Sequence, residues 1–455
     1  MTSGRYTRRR LLTAAGALSL STVAGCLSES DDESASPTET SADGIPYDTS
    51  VDHEIEQWDQ YNTDWTAPET APQQGAYGIE VLAENLEIPW DIAFAPSGEV
   101  FLTERTGRIL TVEQGEYETV TEPGAVIDAE ALPPGSEEDS WYVEGGEGGL
   151  LGIAVHPNYP DVPLVYTYFT TETGDGRTNR VVAFDTTADD PADGSWVIVD
   201  DIPADAYHNG GRITFGPANY LWIAAGDGDP ELDNPDAIAD PGTLAGKILR
   251  VEPDGSAPAE NPDIEGGDPR VYTYGHRNPQ GLAWLPDGTP IITEHGPSGG
   301  DEVNVLRPGE NYGWPEARNS DGFDSYAGTD YQPPVANAPS WAPSGCVFYT
   351  GEAVPSLQGR LLVGGLISQQ VVAVTVTQDG SRLSADHESR HDADWMDSEY
   401  HAASTPLLPD ELGRVRHVEQ GPDGELYAVT SNRDGRAGDG FPTRHDDKLV
   451  RLTSN

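Results

Sequence analysis

The sequence predicts an all-β protein: a six-bladed β-propeller behind a disordered N-terminal tether. Three observations point there. From Tyr77 onward, short β-type runs alternate with Gly, Pro and Asp turns, without long helical periodicity. A turn followed by an apolar strand recurs at roughly 60 to 70 residues, longer than a bare four-stranded blade requires and so leaving room for loops. Six such units occur, enough to close a ring with a ligand site at the mouth of its central channel. A pair of β-sandwiches is the competing fold, and it would not require the repeat.

The units follow in order. The first is Pro96-Ser-Gly-Glu-Val-Phe-Leu-Thr-Glu104, and the second is His156-Pro157-Asn158 with Leu164-Val-Tyr-Thr-Tyr168. Gly216-Pro217-Ala-Asn-Tyr-Leu-Trp-Ile223 and Pro286-Asp-Gly-Thr-Pro-Ile-Ile-Thr293 come next. Pro355 with Gly359-Arg-Leu-Leu-Val363, then Pro422-Asp-Gly-Glu-Leu-Tyr-Ala-Val429, complete the set. With 455 residues, 36% of them hydrophobic, the chain can bury a sizeable core.

Ahead of the repeats, residues 1–25 read as a Tat-type lipoprotein signal peptide. Thr7-Arg8-Arg9-Arg10-Leu11-Leu12 opens a short apolar segment that ends at Val23-Ala24-Gly25-Cys26. Twin arginines mark a route that carries folded proteins. The small residues before Cys26 resemble a lipobox, which implies a lipid on that cysteine and anchoring on the outer face of the cytoplasmic membrane. Residues 26–75, rich in Ser, Thr, Asp, Glu and Pro, read as a disordered linker in which Trp58, Tyr61 and Trp65 dock locally. Residues 76–455 are then the propeller. Cys26 and Cys346 are the only cysteines, so a lipidated Cys26 leaves Cys346 as a lone core thiol.

The charge narrows the function. Against 25 Lys and Arg stand 78 Asp and Glu, a net charge of -53, and losing Arg5, Arg8, Arg9 and Arg10 with the signal makes the mature chain more acidic still. Such a surface repels nucleic acid and anionic lipid, leaving a lipid on Cys26 as the one membrane contact. Lys247 and Lys448 are the only lysines. Acidic excess with almost no lysine fits a protein adapted to molar salt, where the Debye length is about 3 Å and self-repulsion is screened.

Polar chemistry concentrates in four places. The densest is Val271–Pro315, with Gly275-His276-Arg277-Asn278-Pro-Gln280-Gly-Leu282, Glu294-His295-Gly296-Pro297, Asp301-Glu302 and Asn311-Tyr312-Gly-Trp-Pro315, where charges and amides sit on tight turns. Glu144-Gly-Gly-Glu147-Gly-Gly-Leu-Leu-Gly152 either lets the backbone approach a flat group or forms a loose turn. Tyr207-His208-Asn-Gly-Gly-Arg212 places a histidine on a glycine turn at the head of a strand. In Gly413-Arg414-Val415-Arg416 the two arginines share a strand face, either to clamp carboxylates or to bridge acidic neighbours. Gly242-Thr-Leu-Ala-Gly246-Lys247-Ile248 is too short for a P-loop, and no His-Glu-x-x-His run or cysteine cluster suggests zinc. Asp227-Gly-Asp-Pro-Glu-Leu-Asp233 suits calcium or a salt-adapted acidic loop, and the loop is favoured.

These motifs together resemble the PQQ-dependent soluble glucose and aldose sugar dehydrogenases over most of the chain from about Tyr77 to Leu452. The resemblance implies PQQ and calcium as cofactors, an aldose substrate and an external electron acceptor. It implies His208 as the general base at the anomeric hydroxyl, Arg277 stabilising charge on the reduced quinone, and Asp301 orienting His208. Glu147, Arg277, Asn278, Gln280, His295, Arg414 and Arg416 would line the cofactor site. The carbonyls of Gly296 and Pro297 would hold the calcium beside PQQ, and Glu302 and Tyr312 a second, structural calcium. Two positions depart from the glucose enzymes: Ile367 stands where a Lys or Arg meets PQQ, and His295 replaces Gln, as in the broader aldose group. A calcium-dependent propeller lactonase and a sugar-binding propeller without turnover are the rival readings.

Overall fold

The computed structural model describes residues 40–41, 44–72, 77–113, 115–136, 146–174, 176–229, 232–297, 299–318, 320, 322–438 and 440–454. The signal segment and Cys26 lie outside them, as do Glu144 and Gly145. The described residues fall within one compact unit and form six sheets, the blades of a propeller. Each blade begins with its innermost strand. In order these are Pro89–Phe94, Leu150–Val155, Gly210–Phe215, Pro279–Trp284, Pro343–Tyr349 and Val415–Gln420. Neighbouring inner strands pack against one another around the ring, and the sixth meets the first.

The repeated turns explain why the blades form. In blades one, three, four and six, the residue after the inner strand donates to the fifth residue of the turn, and the fourth donates back to the first: Gly98 to Ala95, Asn219 to Gly216, Gly288 to Leu285, Gly424 to Gly421. Each of these fourth residues has a positive φ, between 57° and 87°, a conformation that glycine and asparagine tolerate. The Gly or Asn two residues after the turn proline is therefore a backbone requirement.

Between the blades, apolar side chains fill the wedges. Tyr166, Val181, Leu221 and Leu249 pack in one cluster, and Val347, Leu362, Val415 and Leu426 in another, each buried. A fully buried Val or Leu contributes about 1.5–3 kcal/mol. Cys346 is buried on the fifth inner strand, where burial pushes its thiol up to about 12. The ring closes because Tyr77–Ala83 completes the sixth blade against Leu449–Ser454, pairing Tyr77 with Ser454 and Ala83 with Leu449.

The linker expectation fails over residues 44–72. Instead of hanging free, this segment crosses the inner-hairpin turns of blades two to five as a strap. The His156 ring bonds the carbonyl of Thr49 at 3.2 Å, and Asn219 donates to that of Asp52 at 2.7 Å. His53 bonds Ala218 O at 2.7 Å and stacks on Tyr220 at 4.0 Å. Asn62 donates to Pro286 O, Trp65 meets Phe348 edge-on at 5.5 Å, and Arg360 donates to Thr70 O. Trp58 and Gln60 help to line a chamber of about 260 Å³ at this end of the inner strands.

Candidate active site

At the opposite end the inner strands share an irregularity. In all six, the register with the second strand shifts near the first residues: between Pro89 and Asp91, Leu150 and Ile153, Gly210 and Arg212, Pro279 and Gly281, Pro343 and Cys346, Val415 and His417. A bulge re-aims the side chain it carries. Trp90, Gln280 and Arg416 stand at three of these shifts, and all three line a cavity of about 520 Å³. His208, Arg277, Asn278, His295, Glu147, Arg414 and Ile367 line it too.

His208 adopts φ 60°, a left-handed conformation uncommon outside glycine, and is 8% exposed. Its Nδ1 lies 2.9 Å from Asp227 Oδ1, and its backbone N–H donates to Glu147 Oε2 at 3.1 Å. Asp227 also accepts from Trp314 Nε1 at 2.8 Å and from the N–H of Asp229 at 3.1 Å. A carboxylate with those donors only accepts, so Nδ1 is the donor to Asp227 and Nε2 is the ring nitrogen left free of this pair. Asp227 therefore holds the position that sequence reasoning gave to Asp301.

Asp301 does something else. Its Oδ1 accepts from Gly296 N–H at 2.8 Å, and its Oδ2 from the N–H groups of Trp341 and Ala342 at 2.6 and 2.8 Å. It fixes the Gly296 turn to blade five and makes no bond to His208. Among the described residues, no backbone N–H donates to the carbonyl of Gly296 or Pro297, so both oxygens remain open to a hard cation.

The pair Glu302 and Tyr312 does not form a metal site. Buried Arg318 bridges Glu302 at 2.5 Å and Glu294 at 2.6 Å, and Tyr326 donates to Glu302 at 3.0 Å. Tyr312 donates to Val305 O at 2.8 Å and stacks on His276 at 4.7 Å. The positive charge expected of calcium is supplied by a guanidinium, and no cluster of three or more His, Cys, Asp or Glu suited to a metal occurs among the described residues.

The remaining groups give the cavity its charge. Arg414 and Arg416 do share a face, and both pair with Asp434, at 2.8 and 3.8 Å. Arg416 Nη1 also donates to Gln280 Oε1 at 2.9 Å, and burial pulls its guanidinium down to about 9. Arg277 donates its backbone N–H to Glu294 at 2.8 Å and Nη1 to His295 O at 3.1 Å, and lies over the Trp314 ring at 5.4 Å. Asn278 Oδ1 accepts from Gly210 N–H at 3.0 Å, tying the His208 turn to blade four. Glu147 accepts from Arg436 at 2.7 Å. Burial would raise its pKa, but Arg436, followed by His208, more than reverses this and keeps it ionised. Burial pulls His295 down to about 4, so it is neutral at pH 7, and its Nε2 is buried without a hydrogen-bond partner.

Asp434, Arg105 and Arg436 escaped sequence reasoning, and Asp227, read there as the start of an acidic loop, is the partner of His208 instead. Only Asp227 left a usable signal: Gly210 pairs with Ala225, and continuing that antiparallel register outward sets 208 opposite 227. Ile367, 61% exposed on the cavity wall, adds no charge there.

Comparison with known proteins follows the same lines. Residues 86–439 match the family model for glucose/sorbosone dehydrogenase. The chain is similar to aldose sugar dehydrogenase of Escherichia coli, 30% identical over 388 residues covering 82% of this chain and 93% of that one. It is also similar to quinoprotein glucose dehydrogenase B of Acinetobacter calcoaceticus, 32% identical over 282 residues and 55% of each chain. Among solved structures, the PQQ-bound aldose sugar dehydrogenase of Streptomyces coelicolor has a TM-score of 0.62 at 30% identity, over 85% of this chain and all of the other.

Proposed function

Because this chain belongs to the glucose/sorbosone dehydrogenase family, we propose that it oxidises an aldose at C1 to the lactone with PQQ and calcium. The observation that carries this reading is the cavity itself: a base-oriented His208 faces a cluster of arginines whose nitrogens are not all used within the protein. When bound, PQQ would supply a two-electron hydride acceptor and calcium a Lewis acid beside it.

The protein's own groups then divide the work. His208 Nε2 takes the anomeric hydroxyl proton, and the imidazolium that results sits against Asp227. Trp314 and the N–H of Asp229 keep that carboxylate turned toward the ring. Arg277, fixed by Glu294 and the carbonyl of His295, stabilises negative charge as it develops. Arg414, Arg416, Asn278 and Gln280, which line the cavity, would hold the cofactor, with Glu147 and neutral His295 completing its wall. The carbonyls of Gly296 and Pro297 would hold the calcium. Electrons leave to an external acceptor, the protein is exported by the Tat route and anchored through a lipid on Cys26, and its acidic surface suits molar salt.

The test is a titration of the calcium-loaded apo-protein with PQQ in high salt, followed by an aldose panel with a dye acceptor. Stoichiometric binding with sugar-dependent dye reduction is expected. A protein that ignores PQQ but hydrolyses lactones with calcium would replace this reading with the lactonase.

A further inference from the structure

Arg105 sits on the turn after the second strand of blade one, Val100–Glu104, and is 3% exposed. Its backbone is clamped on both sides: it donates to Ile88 O at 3.0 Å and accepts from Leu150 N–H at 3.1 Å. Its stem lies against Gly149, where a Cβ would meet Arg105 Cγ at 2.8 Å and its carbonyl oxygen at 2.3 Å. The fold therefore gives up a side chain at 149 to let this arginine reach the cavity, which it lines.

What it reaches is not a protein group. Nε and Nη2 of Arg105 are buried and have no hydrogen-bond partner. The carboxylates that act on it through space, Asp434 and Glu147, are already committed. Asp434 is shared by Arg414 and Arg416 and accepts from the N–H of Arg436, while Glu147 serves Arg436 and the N–H of His208. Five arginines, at 105, 277, 414, 416 and 436, line this cavity alongside Glu147, with Asp434 behind two of them, in a chain with a net charge of -53. Open donors on a buried guanidinium are costly unless an anion completes them. A neutral sugar cannot do that, whereas a carboxylate matches the guanidinium fork.

Resting on the PQQ reading above, we propose that Arg105 is a cofactor-binding residue that takes a PQQ carboxylate, a third carboxylate clamp beside Arg414 and Arg416. It supplies from blade one the cationic contact that the wall at Ile367 does not.

The test compares wild type, Arg105→Gln and Arg105→Lys as calcium-loaded apo-proteins in high salt. Each is titrated with PQQ, and with PQQ singly esterified at each carboxyl, by protein fluorescence; melting is followed without ligand. Arg105→Gln is expected to raise the Kd for PQQ about 10- to 100-fold, Arg105→Lys to fall between, and the apo-protein to melt no lower than wild type because an unpaired charge has been removed. One ester should weaken wild type and leave Arg105→Gln no worse than it is with PQQ itself. Equal Kd values for wild type and Arg105→Gln overturn the proposal, as does a lower melting point of the apo variant with unchanged PQQ affinity, which would make Arg105 structural. If wild type binds no PQQ, the functional reading falls and takes this one with it, a result distinct from the first two.

Discussion

Replacing Asp227 by Asn tests how His208 is armed. Asp227 has three donors on two oxygens: His208 Nδ1 at 2.9 Å and Asp229 N–H at 3.1 Å on Oδ1, and Trp314 Nε1 at 2.8 Å on Oδ2. An amide accepts through one oxygen only. Placed at Oδ1, that oxygen keeps His208 and Asp229 and sets its NH₂ against the indole N–H; the reverse placement loses two bonds and inverts the tautomer. The first is preferred, so geometry survives and the charge does not. Two unit charges about 4 Å apart attract by about 4 kcal/mol at an effective dielectric of about 20, and the retained neutral hydrogen bond returns about 1 kcal/mol of that. The net loss of about 3 kcal/mol predicts a kcat about 10²-fold lower. Stopped-flow dye reduction at saturating sugar reads this, while PQQ affinity stays unchanged because Asp227 does not line the cavity. Asp301→Asn is the companion. It removes an acceptor from backbone N–H groups of Gly296, Trp341 or Ala342, costing about 1–3 kcal/mol of stability with weaker calcium and PQQ binding. An Asp227→Asn enzyme within threefold of wild type, beside an Asp301→Asn enzyme that loses 10²-fold in kcat with intact melting and PQQ binding, would falsify this assignment.

Other outcomes follow from the same geometry. Arg318→Ala strands Glu294 and Glu302 together in the interior, and destabilises by about 3–5 kcal/mol in denaturant titrations; millimolar calcium restores part of that loss, whereas wild type gains nothing at this pair. Burial pushes the Glu419 carboxyl up to about 8, with Asp91 adding and the Gln420 N–H opposing. The folded protein thus holds a proton that the unfolded chain gives up near pH 4, so this group's contribution is full below that pH and is lost as pH rises toward 8; Glu419→Gln flattens the fall in melting temperature between pH 5 and 8, and an unchanged slope refutes it. Dialysis from molar salt to salt-free buffer unfolds the protein, measured by circular dichroism, because self-repulsion across a net charge of -53 loses its screening. Trp65→Ala lowers the melting temperature by loosening the strap over Phe348, without altering kcat.

The parts of the fold legible in sequence were those that a backbone requirement writes into residue type. Gly98, Asn219, Gly288 and Gly424 announce their turns because few residues tolerate that φ. The bulges that aim Trp90, Gln280 and Arg416 leave no such mark, since a bulge is a matter of register between two strands. The strap was hidden for a different reason: the body grips it at the carbonyls of Thr49, Asp52 and Thr70, groups that every residue carries. In the site, His208, Arg277, Asn278, Gln280, His295, Arg414 and Arg416 do meet around one cavity. Asp301 was given that role by the resemblance alone, whereas the partner of His208 comes from the turn just past the neighbouring strand of its own blade, Leu221–Ala225. Nothing near Glu302 in sequence reveals Arg318, whose contacts reach partners 16 and 24 residues earlier in the chain.

The join between Tyr77–Ala83 and Leu449–Ser454 bears on how the chain is made. Tyr77–Ala83 leaves the ribosome with no partner in its blade until Leu449–Ser454 is synthesised, at about 5–20 residues per second. Such distant pairing also makes folding slow. A premature stop after the fifth blade and before Leu449 would leave an open edge at Tyr77–Ala83, a template for aggregation. The fold thereby checks that synthesis has passed the sixth blade, since the ring closes only once Leu449–Ser454 has been made.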